Sequence, residues 1–94
     1  MGKKRELLPT PYALEIQRKT ELAATQAVQG YCDGAFSAGV GEAIVGVHLD
    51  GGVLTVNCSG AALVQELEQF HRVELLAAVR SVAPGVARIV VRPA

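Results

Sequence analysis

The sequence has no tryptophan and only two cysteines, Cys32 and Cys58. Neither has a second thiol or a histidine at ligand spacing, which argues against a zinc site or a C-x-x-C redox pair and leaves both to be read as buried thiols. Aromatic residues are confined to Tyr12, Tyr31, Phe36 and Phe70. The apolar content is therefore mostly alanine, valine and leucine, whose small side chains let helices and strands approach closely. No apolar run reaches the roughly 18 residues that a membrane span needs. The basic start is followed by Pro9 and Pro11 rather than an unbroken apolar stretch, unlike a secretory signal. The expectation is a cytoplasmic protein with no membrane attachment.

Lysine and arginine are absent from residues 20–68, which carry six acidic groups. Residues 1–19 carry five basic and two acidic groups, and residues 69–94 four basic and one acidic, so the running balance is +3, −6, +3 around a net charge of zero. Neutrality of the whole thus conceals segregation, and a fold that joins the two ends has a basic and an acidic side. At 94 residues, half of them hydrophobic and 19% charged, the chain suits one globular domain with one modest core.

Residues 1–10 read as a flexible basic lead and residues 11–94 as a single domain. Thr10-Pro11 is a helix start, with a capping hydroxyl ahead of a proline that needs no hydrogen-bond partner in the first turn. Ala13, Ile16, Thr20, Ala23 or Ala24, Ala27 and Tyr31 continue at helical spacing, predicting a helix over residues 12–29 that ends at Gly30. The glycine-rich stretch 31–41 is a second short helix or a loop. Two β-rich runs, 43–49 and 53–58, flank Asp50-Gly51-Gly52 and predict a hairpin. A two-residue loop at Asp50-Gly51 sets Val47 opposite Leu54, Val45 opposite Val56 and Ala43 opposite Cys58 on one apolar face. A Gly51-Gly52 loop keeps the same faces, whereas a three-residue loop without a bulge sets His48 against Leu54.

Ser59 is placed to cap the next helical region, 60–83, in which Leu63, Leu67, Phe70, Val73, Leu76 and Val79 follow the three-and-four spacing. One straight helix of that length spans about 35 Å against about 20 Å for a six-residue strand. A break near His71-Arg72 is therefore expected. Pro84-Gly85 ends the region, and residues 86–92 form a third strand with Ala87, Ile89 and Val91 inward. The expected class is α+β: N-terminal helix, β-hairpin, helical crossover and third strand, the three-stranded sheet carrying its helices on one face.

The run Gly52-Val53-Leu54-Thr55-Val56, then Ser59, then Gln65-Glu66-Leu67, and the closing apolar-basic alternation up to Arg92 resemble the DciA-like family of bacterial replicative-helicase operators over about residues 31–92. The resemblance implies a KH-like domain and a non-enzymatic accessory role in DNA replication. Its implied partners are the replicative DNA helicase and, weakly, single-stranded DNA, the domain helping to load or regulate the helicase. The G-x-x-G loop with which KH domains clamp backbone phosphates is missing from the crossover.

Candidate nucleic-acid contacts must then come from elsewhere. Arg88 and Arg92 fall on one face of the last strand, with His48, Thr55 and Asn57 on the matching hairpin face, a polar platform suited to phosphates although solvated outer faces are also polar. Lys3, Lys4 and Arg5 offer a phosphate-contacting arm, although charged termini mostly serve solubility. Glu66, Glu68 and Glu74 read as a solvated helix face, and His48 and His71 as surface or boundary histidines. Gly39-Val40-Gly41-Glu42 lacks the Lys-Ser/Thr end of a phosphate loop and precedes a strand instead of a helix. No catalytic, metal or cofactor constellation emerges. The alternative to nucleic-acid binding is a protein-interaction or self-assembling module, with sheet extension at an edge strand as a route to a homodimer.

Overall fold

The apolar stripe of the first helix determines where it lies. The computed structural model describes residues 11–94; Lys3, Lys4, Arg5 and the Thr10 cap fall outside the described residues. Helix α1 (Pro11–Ala35) buries Ala24, Val28 and Cys32 completely, three positions four residues apart on one face. It continues past Gly30, where a stop was expected, and past Gly34. A helical glycine costs about 1 kcal/mol, and burial of Cys32 with the partial burial of Tyr31 beyond it offsets that cost.

A 3-10 turn (Val40–Ala43) leads from α1 into the sheet. It explains the glycines of the Gly39-Val40-Gly41-Glu42 segment. Gly39 takes a left-handed φ of 94°. The Gly41 N–H donates to Asp33 Oδ1 at 2.7 Å, and a Cβ at Gly41 would stand 2.6 Å from the Gln29 carbonyl. Gly41 thus fastens the turn against α1.

Strands β1 (Ile44–Asp50) and β2 (Val53–Cys58) pair antiparallel about Gly51-Gly52, whose φ values of 57° and 82° suit a primed two-residue turn. Val47 stands opposite Val56 and Leu49 opposite Leu54, the register of the Gly51-Gly52 loop. A bulge between Ile44 and Gly46 turns Val45 out to 59% exposure and lets Ile44 face the core.

Ser59 does not cap the following helix. Its N–H donates to the Ala43 carbonyl at 2.7 Å, which prolongs the hairpin, and Gly60 at φ 102° makes the corner into α2 (Ala61–Phe70). Helix α3 (Arg72–Arg80) follows after the single residue His71, so the break lies where strand length demanded it. The break also shifts the phase of the apolar stripe. Leu67, Leu75 and Val79 are fully buried, whereas Phe70 and Val73, expected inward on an unbroken helix, are 67% and 82% exposed.

Strand β3 (Arg88–Pro93) pairs parallel with β2, giving the order β1-β2-β3. Ala87 was expected inward and is exposed, because the N–H groups of both Ala87 and Arg88 donate to the Gly52 carbonyl. That kink postpones the strand alternation to Arg88, and Val86 takes the buried place instead. Leu54, Val56, Cys58, Ile89 and Val91 form the sheet's share of the core beneath the helices. The fold is α+β, with three helices on one face of a mixed three-stranded sheet, an arrangement compatible with a KH-like domain.

Candidate nucleic-acid interface

Pleat alternation builds the open face. With Leu54, Val56, Ile89 and Val91 turned to the core, their neighbours must point away from it. Register sets Asp50, Val53 and Arg88 in one cross-strand row, His48, Thr55 and Val90 in the next, and Gly46, Asn57 and Arg92 in the third. Arg88 and Arg92 are exposed, so the structure brings together the platform read from the sequence. Four residues of strand separate the two Cα atoms by about 13 Å. Half-buried Val90 lies between them.

The charges around this face differ in how they are engaged. His48 Nδ1 is 3.4 Å from Glu21 Oε2, and Arg72 Nη1 is 3.4 Å from Glu68 Oε1. Arg88 and Arg92 have no ion-pair partner among the described residues. Two such guanidinium groups on a solvent-facing sheet can meet phosphate oxygens bidentately.

The sheet edges are partly closed by side chains. Leu49 of β1 donates its N–H to Glu21 Oε2 at 2.8 Å and accepts from Gln17 Nε2 at 3.1 Å, both from α1. On β3, the Ile89 carbonyl accepts from Arg72 Nη2 at 3.3 Å, and the Val91 N–H donates to Glu68 Oε2 at 2.7 Å. The next residue on that outward edge, Pro93, has no N–H. Some of the edge groups on which sheet extension would draw are thus already occupied or missing.

Sequence reasoning missed two further clusters. Tyr31 Oη lies 2.7 Å from His71 Nδ1 and donates to Glu74 Oε1 at 3.2 Å, while Glu66 stands 3.9 Å from His71 Nε2 and the Phe36 ring 5.0 Å from the imidazole. Burial and the Glu74 carboxylate raise the Tyr31 pKa above its usual value. Glu66 and Glu74 are exposed, as a solvated face requires, and also flank the residue that joins α2 and α3. Only the expected break at His71 hinted at this. The second cluster is a groove of about 190 Å³ between α3 and the start of β3, lined by Arg72, Val73, Leu76, Arg88 and Ile89. It opened when the phase shift left Val73 outside.

Both cysteines are buried and unpaired. Burial, with Cys58 and Asp33 nearby, pushes the Cys32 thiol up to about 11, and burial also raises Cys58. Buried thiols held in the neutral form are poor nucleophiles. Among the described residues no cluster of histidine, cysteine or carboxylate side chains could hold a metal ion, and no helix is long and apolar enough to cross a membrane.

These features define an α+β domain whose sheet is covered on one side and polar on the other, where two arginines have no ion-pair partner among the described residues. Comparison with protein-family models, with curated proteins and with solved structures finds no match for the chain.

Proposed function

We propose that this chain is a non-enzymatic, cytoplasmic accessory domain of DNA replication that holds single-stranded DNA weakly on its open sheet face while engaging the replicative helicase. The DciA-like resemblance supplies the helicase and the replication setting. The observation that carries the strand-binding part is the pair Arg88 and Arg92, exposed on one sheet face without a carboxylate partner among the described residues. The mechanism is tethering: arginines on the sheet hold phosphates, and another surface holds a helicase subunit, with no nucleotide hydrolysed by this chain.

Few contacts mean weak, salt-sensitive binding. With about three neutralised phosphates the slope of log affinity against log salt is near −2, and losing two contacts flattens it by about 1.4. A fluorescent oligonucleotide titrated at several salt concentrations against wild type and Arg88→Ala/Arg92→Ala measures this directly. Coincident curves would dismiss the sheet face as the binding surface.

The second reading, a protein-interaction module without a nucleic-acid role, is favoured by the exposed Phe70 and Val73. Absence of oligonucleotide binding at low salt would move it ahead.

A further inference from the structure

We infer that the groove between α3 and β3 is a docking site for an acidic amphipathic helix of a partner protein. Its walls are Val73, Leu76 and Ile89, and its rim carries Arg72 and Arg88. At about 190 Å³ it is smaller than the roughly 300–1,000 Å³ of small-molecule sites. It suits one or two anchoring side chains of a larger partner.

The charge and the backbone together select the occupant. Arg72 is held in place by Glu68 and the Ile89 carbonyl, whereas Arg88 has no ion-pair partner among the described residues. The rim therefore favours carboxylates over cations. An extended partner strand, by contrast, would need main-chain bonds from β3. Two of the groups it would use, the Ile89 carbonyl and the Val91 N–H, are taken, and Pro93 has none to donate. A strand docked there would leave polar groups unsatisfied. A helix satisfies its own backbone and needs only the apolar groove and the cationic rim. Val73 on the groove wall is 82% exposed, and Phe70, three residues earlier in the chain, is 67% exposed.

This surface lies along the helical layer and the β3 edge, and its proposal does not require strand binding on the open face. Arg88 belongs to both, which makes the two ligands compete for it. A helical probe peptide with leucines at i, i+3, i+4 and i+7 and glutamates on its flanks tests the assignment by fluorescence anisotropy on the full chain. Its controls are a peptide with lysine in place of every glutamate and one with alanine in place of every leucine.

Wild type should bind the glutamate-leucine peptide and neither control, with amide shift changes centred on Val73, Leu76 and Ile89. Val73→Asp should weaken binding by about tenfold or more. Because Val73 is solvent-facing, an unchanged thermal midpoint should accompany that loss. Arg88→Glu should weaken both peptide and oligonucleotide binding, whereas Arg92→Ala should affect the oligonucleotide alone. Failure of the glutamate-leucine peptide to bind, equal binding of the lysine peptide, or binding indifferent to Val73→Asp overturns the proposal. Self-association of the wild type that Val73→Asp abolishes also overturns it, by giving the groove to a second copy of the chain.

Discussion

Leu67 and Phe70 stand three residues apart on one helix and have opposite fates. Leu67 is fully buried, whereas Phe70 sits at the last position of α2, where the turn at His71 carries it out of the core. Leu67→Ala should therefore cost about 2–5 kcal/mol, as truncation of a core leucine does. That is a large part of the 5–10 kcal/mol or so that holds a small domain together. Phe70→Ala should change stability by only about 0.5 kcal/mol. Urea unfolding of the two variants decides it, and a larger shift for Phe70 would place the helix break wrongly. Periodicity named both residues as core, because spacing reports a face only while the helix stays continuous. Arg88 and Arg92 were legible for the complementary reason: alternation within one short strand leaves no room for phase drift.

At the scale of elements, the hairpin, the helix break and the third strand could be read from turn chemistry and from the mismatch between helix and strand lengths. What could not be read is how neighbouring elements fasten to one another, since those bonds join residues far apart in sequence. Glu68 is the clearest case. It reads as one member of an acidic helix face, yet it accepts the Val91 N–H at 2.7 Å and pairs with Arg72, closing the outer edge of β3. Removing it should open that edge. Glu68→Ala, combined with Pro93→Val to restore an outward N–H, should leave the fold intact at a cost of about 1–2 kcal/mol. The altered chain should then self-associate as its concentration rises, because an unpaired edge invites another strand. Light scattering across a dilution series measures this. A double variant that stays as monodisperse as the parent would show that these side chains do not guard the edge.

For the whole molecule, the charge segregation visible along the chain becomes spatial through the hairpin. Gln17 of α1 bonds the Leu49 carbonyl and Arg88 of β3 donates its N–H to the Gly52 carbonyl, so the described parts of both basic segments reach the hairpin. The core beneath is small and contains two thiols, and its response to pH follows from them. Burial pushes Cys32 from 9.0 up to about 11 and raises Cys58, while burial and Glu74 raise Tyr31. In each case the fold favours the protonated, neutral form. The linked stability is fully present below the unfolded pKa and is lost as pH climbs through the folded one. For Cys32 the window runs from about pH 9 to about pH 11, and the loss is at most about 2–3 kcal/mol. The urea midpoint should therefore be flat near neutrality and fall steeply over that window. Cys32→Ala should start lower, because it leaves a small cavity, and fall less steeply because one of the linked protons is gone. Midpoints measured from pH 7 to pH 11 for both proteins test the linkage. Parallel curves for parent and variant would mean that ionisation of Cys32 does not contribute to alkaline unfolding.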